Sequence, residues 1–186
     1  MVVGSIHGRF QPFHNEHLEY ALAALKSCDF LWIGITQYDI EELKKCNDSP
    51  NRSVLSSNPL TYLERINIIK DALLEANIDR GRFDFIPFPI DEPEKLYQFI
   101  DTKTVCFTTI RESWNKAKVE RLSQAGYKVE VLWENLADKE VSSTLIRESL
   151  LNGNELWKKM VQPSTQQHIN SLDIANRLQE YLQQES

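Results

Sequence analysis

Short apolar runs alternate along the chain with longer segments in which apolar residues recur at helical spacing. Two runs predict short buried strands, at residues 2–6 and 31–35, and three more are strand candidates, at residues 83–87, 104–107 and 128–132. Helices are predicted between the strands, over residues 14–28, from Pro59 to about Leu73, and over 113–125 before Gly126. This alternation is typical of right-handed crossovers and predicts an α/β fold with an open, mostly parallel sheet.

The C-terminal part of the sequence has a different pattern, with no strand from Ser142 onward. Helical segments are predicted over residues 143–151 and 155–160, and a last helix is predicted to start at Pro163 and to continue to about Leu182. We therefore predict a single domain over residues 1–186, with an α/β core over 1–141 and a helical C-terminal segment over 142–186. The helix that starts at Pro59 is predicted to have Asn58 as its cap and Leu63 and Leu73 on its apolar side.

Composition limits the classes of function. The 186 residues are 41% hydrophobic and 26% charged, which fits one well-packed soluble domain. Lys and Arg number 21 against 27 Asp and Glu, and a net charge of −6 argues against a nucleic-acid-binding protein. It does not argue against a small anionic ligand, because a local cluster of cations can bind phosphate in an acidic protein. No apolar run predicts a membrane span or a signal peptide, so we expect a cytoplasmic protein.

Metal and disulfide chemistry find little support in the sequence. The three cysteines, Cys28, Cys46 and Cys106, form no Cys-x-x-Cys pair, so neither a disulfide framework nor a zinc ribbon is predicted. A long polar segment, residues 38–57, is either a binding loop or a surface insertion.

The densest chemical signal lies between the first predicted strand and the first predicted helix, from Gly8 to His17. In an open parallel sheet, ligands bind at the carboxyl ends of the strands, and the N-terminus of the next helix attracts anions. His14 and His17 lie on one side of the first turn of that helix, and Arg9 adds a permanent cation. We therefore expect a phosphate group to bind here.

Other interpretations of these histidines are weaker. A metal site would need a third ligand, and none is found nearby, so no protein metal ligand is predicted. The sequence has neither a Walker A motif nor a Gly-x-Gly-x-x-Gly fingerprint, so a nucleotide site here would use another design. His7 and His168 are given structural roles.

Three motifs resemble those of the nucleotidylyltransferases, in particular the archaeal-type nicotinamide-mononucleotide adenylyltransferases. Residues 8–12, Gly-Arg-Phe-Gln-Pro, followed by His14-x-x-His17, resemble the family's Gly-Arg-Phe-Gln-Pro and His-x-Gly-His motifs. Residues 141–147 resemble Ile-Ser-Ser-Thr-x-Ile-Arg, and residues 58–65 resemble Asn-Pro-Phe-Thr-x-x-Glu-Arg. The resemblance implies a Rossmann-like open parallel sheet with helices on both faces and a helical C-terminal tail.

The resemblance also implies an activity. An enzyme of this kind transfers the adenylyl group of ATP to the phosphate of nicotinamide mononucleotide or nicotinate mononucleotide, giving NAD or its acid analogue and pyrophosphate. Catalytic roles are implied for Arg9, His14 and His17, with His17 donating to the α-phosphate. The nucleotide-binding residues implied are Gly8, Arg9, Phe10, Gln11, His14, His17, Ser142, Ser143, Thr144 and Arg147. Mg²⁺ is expected to bind mainly through the triphosphate.

The acceptor half departs from the family pattern. Glu16 stands where the family has glycine, and of the family's Ser-Ala-Gln only Gln37 remains. Tyr97 aligns with the tryptophan that stacks on nicotinamide, and Arg111 follows a Thr-Thr-Ile sequence in place of Thr-Gly-Asn. Gln37, Tyr97 and Arg111 are the expected acceptor-binding residues, although Arg111 could instead pair with a surface acid.

These departures leave two alternatives beside NAD synthesis. One is a related nucleotidylyltransferase that uses CTP or ATP on a different phosphorylated or phosphonate acceptor. The other is a non-catalytic nucleotide sensor, which Glu16 would favour and which the full set of His14, His17, Arg9 and Arg147 argues against. By resemblance we also expect a homo-oligomer whose partners are small molecules, and not nucleic acid or membrane.

Overall fold

The computed structural model describes residues 1–43, 53–110, 114–134 and 141–186, with only the backbone at positions 114 and 115. The strands are β1 (Val3–Gly8), β2 (Phe30–Ile35), β3 (Phe83–Pro87), β4 (Val105–Ile110) and β5 (Lys128–Glu134). The α-helices of the described residues are α1 (Asn15–Leu25), α2 (Tyr62–Glu75), α3 (Trp114–Gln124), α4 (Ser143–Leu151), α5 (Pro163–Ser171) and α6 (Ile174–Glu185). None of these helices combines the length and hydropathy needed to cross a bilayer.

The five strands form one parallel sheet in the order β3-β2-β1-β4-β5. The chain builds the sheet outward from β1 in one direction as far as β3 and then in the other through β4 and β5. The order therefore reverses between β1 and β4, and ligands of open α/β sheets bind at such a reversal, beyond the carboxyl ends of the strands. The predicted α/β class with an open parallel sheet is confirmed.

By its internal contacts the chain divides into two compact units, each made of three segments. The sheet unit comprises Met1–Gly8, Glu19–Tyr38 and Asp79–Asp138, and the helical unit comprises Arg9–Leu18, Asp39–Ile78 and Lys139–Ser186. The single domain over residues 1–186, with its division at residue 141, stays a prediction.

The sheet unit holds a core behind strands β3 and β4. Its buried members are Ile86, Phe88, Ile90, Leu96, Ile100, Cys106, Leu122 and Tyr127. Gly34 in β2 makes room for one of them, because a Cβ at this position would lie 2.3 Å from the ring of Phe88. The Phe88 ring stacks on His7 of β1 with centroids 4.7 Å apart and planes 6° from parallel.

The helical unit is assembled by packing α2 against α5 and α4 against α6. Its start differs from the prediction at Asn58 and Pro59, because α2 begins after Thr61 instead. The Thr61 side chain accepts from the Glu64 N–H at 3.3 Å, and the Glu64 carboxylate accepts from the Thr61 N–H at 2.8 Å. This reciprocal capping box satisfies two N-terminal donors, which Asn58 could not do for a helix that starts four residues after it. Leu63 faces outward with 64% of its surface exposed, so its predicted place on the apolar side is wrong.

The predicted last helix is in fact two. Helix α5 ends at Ser171, and Asp173 adopts the left-handed conformation at φ 47° before α6 begins. A non-glycine residue in that region cannot continue a right-handed helix, so the chain turns there. Arg177 of α6 then binds the carboxylate of Glu64 through two nitrogens at 2.7 and 2.9 Å. The end of the chain is thereby fastened to the N-terminal turn of α2.

Candidate functional site

The loop from Arg9 to His14, which follows β1, is anchored by two buried aromatic rings. Phe10 and Phe13 are 1% and 0% exposed, and their ring centroids lie 5.6 Å apart. Phe10 has φ 53°, a conformation that L-residues rarely adopt and that the surrounding structure must hold in place. The aromatic residues of the motif are thus the packed base of the loop.

The carbonyl of Arg9 is held by the most deeply buried charged side chain described in the chain. Arg65 has no exposed surface, and its Nη1 donates to the Arg9 oxygen at 3.0 Å while its Nε donates to the Thr61 oxygen at 3.2 Å. Burial lowers the pKa of Arg65 to about 10, so the guanidinium remains charged at neutral pH. Hydrogen bonds from charged donors are stronger than those from neutral donors. Arg65 therefore holds the backbone firmly at the residue before Phe10, where φ is positive.

Gln11 is fixed at both ends of its amide. Its Nε2 donates to the carbonyl of Leu60 at 2.9 Å, and its Oε1 accepts from the Leu60 N–H at 2.9 Å. Its own carbonyl accepts from Nη1 of Arg147 at 2.8 Å. Gln11 is 0% exposed. The amide of Gln11 therefore forms two hydrogen bonds with the backbone of one residue, Leu60, as paired residues of neighbouring strands do. These bonds hold the middle of the loop in place.

The serines and the threonine of the second motif also bind protein atoms. Ser142 caps α4, with its Oγ accepting from the Leu145 N–H at 3.2 Å. Ser143 Oγ donates to the carbonyl of Pro12 at 3.0 Å, and Thr144 Oγ1 accepts from Arg147 Nη2 at 3.3 Å. Arg147 is 7% exposed, and burial lowers its pKa to about 10. The two sequence motifs, more than 130 residues apart, are thus brought into direct contact.

The two histidines form a stack above this base. The rings of His14 and His17 lie 3.6 Å apart between centroids and 21° from parallel. His14 is 4% exposed, whereas His17 is half-buried and meets the Phe10 ring edge-on at 4.9 Å. The two imidazoles are thus nearly parallel, and the rings of Phe10 and Phe13 pack against His17. Such a pair can present ring N–H groups to the oxygens of one anion.

Arg9 lies half-buried beside the same loop. Its Nη1 donates to the carbonyl of Ser57 at 3.3 Å and lies 3.5 Å from Oδ1 of Asn58. The motif that was predicted to cap α2 therefore contacts Arg9 instead. Together with Arg65 and Arg147, this places three guanidinium groups around one loop, a local positive charge within an acidic protein.

Two of the predicted acceptor-binding residues lie in the sheet unit, whereas the histidines and Arg147 lie in the helical unit. Gln37 and Tyr97 belong to the sheet unit, where Gln37 follows β2 with φ 47° and Tyr97 is 69% exposed in the 3₁₀ turn Pro93–Gln98. Gly8, predicted to bind nucleotide, is the last residue of β1 in that unit. Arg111 and residues 44–52 of the predicted loop lie outside the described residues. The structure thus brings together the residues of the nucleotide half that lie in the helical unit.

His7 and His168 have separate environments. Burial, and to a smaller extent the charge of Lys118, lowers the pKa of His7 to about 3. Its Nδ1 makes no hydrogen bond within the described part of the chain. His168 of α5 places Nε2 2.7 Å from Oδ2 of Asp71 in α2, a contact that joins the two helices.

Sequence reasoning missed two residues that hold the loop, Arg65 and Asn15. Arg65 had a visible signal, because it shares a helix face with Ile68, Ile69 and Ala72 at spacings of three, four and seven. A cation on a buried face needs acceptors, and the carbonyls of a nearby loop supply them. Asn15 had no such signal in the sequence.

Comparison with known proteins assigns the chain to a family. A family model described as cytidylyltransferase-like matches residues 6–149, which include all three motifs named above. The chain belongs to the cytidylyltransferase-like family. Its members are nucleotidylyltransferases, and the chain is accordingly a nucleotidyltransferase enzyme.

Curated relatives divide between two activities. A phosphonoformate cytidylyltransferase of Streptomyces viridochromogenes is 35% identical over 175 residues, covering 94% of each chain. A nicotinamide-nucleotide adenylyltransferase of Saccharolobus solfataricus is 29% identical over 174 residues, covering 93% of this chain and 92% of the relative. The resemblance to nucleotidylyltransferases is confirmed.

Solved structures share the fold. A bifunctional NMN adenylyltransferase/ADP ribose pyrophosphatase from Francisella tularensis aligns with a TM-score of 0.67 and 18% identity over 99% of this chain. The chain spans about half the length of that protein, 53%. A putative nicotinate-nucleotide adenylyltransferase from Vibrio parahaemolyticus aligns with a TM-score of 0.58 and 13% identity, covering 94% of this chain and 96% of that one. The Rossmann-like architecture is thereby confirmed.

Proposed function

We propose that the chain transfers the cytidylyl group of CTP to a small acceptor that carries a phosphonate or phosphate, and that it releases pyrophosphate. The observation that carries the transfer reaction is the stacked pair His14 and His17 on a loop whose carbonyls are fixed by Arg65, Arg147 and Ser143. The choice of CTP and of a phosphonate is supported by the 35% identity to a phosphonoformate cytidylyltransferase along nearly the whole of both chains.

The reaction needs alignment more than proton transfer. An oxygen of the acceptor's phosphonate attacks the α-phosphorus of CTP, a new P–O bond forms, and the bond to the β-phosphate oxygen breaks with its electron pair leaving on pyrophosphate. The attacking oxygen is already an anion, so no strong base is required. Catalysis in such a transfer comes from positioning and from donors aimed at the charge that develops on the transferred group.

The loop residues supply those donors. We assign to His17, the half-buried member of the stack, a hydrogen bond to the α-phosphate, and to His14 the orientation of the His17 ring as well as contact with the triphosphate. Arg9 is assigned to the outer phosphates. Arg147 is fixed to Gln11 by one nitrogen and to Thr144 by another, so its charge acts from a set position. A donor in a fixed position is worth more than a mobile one, because it needs no reorganisation during the reaction.

Mg²⁺ is part of this proposal as an ion carried by the triphosphate. Within the described residues no group of three or more His, Cys, Asp or Glu side chains could hold a metal. Arg9, Arg65 and Arg147 place three cations around the loop, and cations suit phosphate oxygens. When bound, the ion neutralises the charge of the leaving pyrophosphate.

A small acceptor is favoured by the acceptor-side residues. Tyr97 offers an exposed phenol ring in the position where the resembling family has tryptophan, and Arg111 is a cation suited to an anionic acceptor. A phosphonate that also bears a carboxylate has two anionic groups and no large flat ring. Such a molecule needs a cation and gains little from a stacking face.

The second candidate is the adenylyl transfer from ATP to nicotinamide mononucleotide or nicotinate mononucleotide. It is supported by relatives such as the Saccharolobus enzyme and by a Picrophilus torridus nicotinamide-nucleotide adenylyltransferase that is 30% identical over 93% of both chains. Tyr97 would then stack on the pyridine ring.

The test is pyrophosphate release in a matrix of donors and acceptors with Mg²⁺ present. CTP and ATP are each combined with phosphonoformate, nicotinamide mononucleotide and nicotinate mononucleotide, and products are identified by mass. We expect release with CTP and phosphonoformate to exceed every other pair by at least about tenfold, a difference of about 1.4 kcal/mol in the barrier. Preferential release with ATP and either mononucleotide would replace the proposal by the second candidate. Calorimetric binding of CTP or ATP without turnover for any pair would favour the sensor.

A further inference from the structure

Asn15 lies between the two histidines and makes an unusual number of contacts for a helix start. It is the first residue of α1, and its backbone N–H donates to the carbonyl of Met160 at 2.9 Å. Its side-chain Nδ2 donates to the carbonyl of Lys159 at 3.0 Å, and its Oδ1 accepts from Nε2 of Gln162 at 3.0 Å. Three bonds thus join one residue of the loop to a segment about 145 positions further along the chain.

Gln162 is held in the orientation in which its amide donates to Asn15. It is 6% exposed and immediately precedes Pro163, the first residue of α5. Its Oε1 accepts from Oγ1 of Thr165 at 3.3 Å, and this leaves the NH₂ end of the amide turned to Asn15. Because Oδ1 of Asn15 is the acceptor in that pair, its own NH₂ points to Lys159. The two amides are therefore oriented by each other and by neighbours on both sides.

The contacts act on the first turn of α1. The N–H of Asn15 is one of the helix donors without an intrahelical partner, and here a protein carbonyl uses it in place of an anion. Three bonds on one residue fix both the axis and the rotation of this turn. His14 immediately precedes Asn15, and His17 lies two positions after it in the same turn, so the direction of both imidazoles follows this rotation.

We propose that Asn15 is a positioning residue, which with Gln162 and the carbonyls of Lys159 and Met160 sets the direction in which the His14–His17 pair faces the triphosphate. The inference rests on the proposed function, because it concerns the reaction at these histidines. Its consequence is that the segment 159–162, which contributes no predicted site residue, controls the transition-state contacts. Misplacement of a reacting group by about 1 Å can reduce a rate by about 100-fold.

Kinetics of Asn15 and Gln162 variants test the proposal. We expect N15A to lower kcat by about 10- to 100-fold, while the dissociation constant of the triphosphate changes by less than about threefold. N15D keeps the acceptor for Gln162 and loses the donor to Lys159, so an intermediate kcat is expected. Q162A should resemble N15A, and the double variant N15A/Q162A should be no slower than the slower single variant, because both remove one unit.

Gln166 provides the matched control. Its Nε2 donates to the carbonyl of Lys158 at 2.7 Å, so it binds the residue just before the segment 159–162 and does not bind Asn15. We expect Q166A and N15A to lower the urea midpoint of unfolding by similar amounts. Q166A should nevertheless keep kcat within about twofold of the wild type. Equal kcat losses in N15A and Q166A, or an N15A variant that is less stable but fully active, would overturn the proposal.

A second readout is independent of turnover. In proton–nitrogen spectra of ¹⁵N-histidine-labelled protein, N15A and N15D should move the ring signals of His14 and His17, whereas Q166A should leave both in place. Unchanged signals in N15A would reject the positioning role even if no substrate pair were turned over. A wild type that is inactive on every pair, with ring signals that move as expected, would instead reject the proposed function and leave the positioning role standing.

Discussion

The loop from Arg9 to His14 and the acceptor-side residues of the sheet unit differ in how firmly they are held. The loop has its carbonyls at Arg9, Gln11 and Pro12 bonded to side chains from distant segments. Tyr97, by contrast, exposes 69% of its surface in a short 3₁₀ turn. In the proposed function, the fixed region binds the triphosphate and the loosely held one binds the acceptor. A rigid donor half and an adaptable acceptor half would allow one fold to serve several substrates.

The largest expected effect is that of replacing His17 in the fixed region. H17A should lower kcat by about 10²- to 10³-fold, the scale of removing one donor to a developing charge, with little change in triphosphate affinity. Steady-state kinetics and calorimetry on one preparation separate the two effects. H168A removes a histidine that contacts Asp71 and should remain within about twofold of the wild type. A loss of affinity that accounts for the whole loss of rate would assign His17 to ground-state binding.

Arg65 tests whether the fixed region depends on its buried cation. R65M keeps much of the side-chain volume but removes the guanidinium donor of the Arg9 carbonyl, whereas the Thr61 carbonyl still accepts from the backbone N–H of residue 65. We expect a loss of about 2–3 kcal/mol in the free energy of unfolding. Urea unfolding at pH 7 measures it. K128M removes an exposed lysine paired with Glu130 and should change the stability little. Similar midpoints for R65M and the wild type would show that water replaces the guanidinium without penalty.

His7 allows the sheet unit to be tested through pH. Its folded pKa of about 3 lies below the value of about 6.5 expected in the unfolded chain, so below pH 6.5 the unfolded state binds the extra proton. Stability from this group is therefore fully present above pH 6.5 and falls as the pH is lowered towards 3. Between pH 7 and pH 5 we expect His7 to lower the free energy of unfolding by about 2 kcal/mol.

The control for this pH dependence is H7N, in which the group no longer titrates. Urea unfolding of the wild type and of H7N at pH 5, 6 and 7 gives the difference in slope. If both proteins lose stability in parallel over this range, His7 is hydrated and protonated in the folded state.

Tyr97 carries the smallest expected effect and tests the adaptable region. Y97A should raise the KM of the acceptor about two- to fivefold, the worth of one partly exposed aromatic contact, and should leave the unfolding midpoint unchanged. Y97F keeps the ring and should behave as the wild type. A fall in kcat with constant KM in Y97A would place the ring close to the reacting atoms and remove the contrast between the regions.

The strands could be predicted because each is a short segment rich in apolar residues, and β3 was located to the residue. The start of α2 was not, because Asn58-Pro59 and Thr61-x-x-Glu64 are both good start signals and only the second forms a capping box. The break at Asp173 was also hidden, since aspartate adopts positive φ only occasionally and the apolar spacing continues across it.

The candidate site could be predicted by residue type but not by contact. The histidines and arginines stand in recognisable motifs, so their selection needed no structure. That Arg147 donates to the carbonyl of Gln11, or that Asn15 binds Gln162, depends on pairs separated by 136 and 147 positions. Backbone carbonyls carry no sequence signal, and so the acceptors that fix the loop could not be predicted.

The long separations within these pairs have a consequence for the order of synthesis. The side chains of Ser143 and Arg147 bind carbonyls of residues 11 and 12, and the carbonyls of Lys159 and Met160 receive Asn15; the ribosome makes each of these partners more than 130 residues after the residue it binds. Domains form as their parts emerge, and contacts so distant in sequence form late. A growing chain therefore carries both histidines through more than 130 further residues of synthesis before the groups that hold them in place are made, and the proposed site can form only after those groups have emerged.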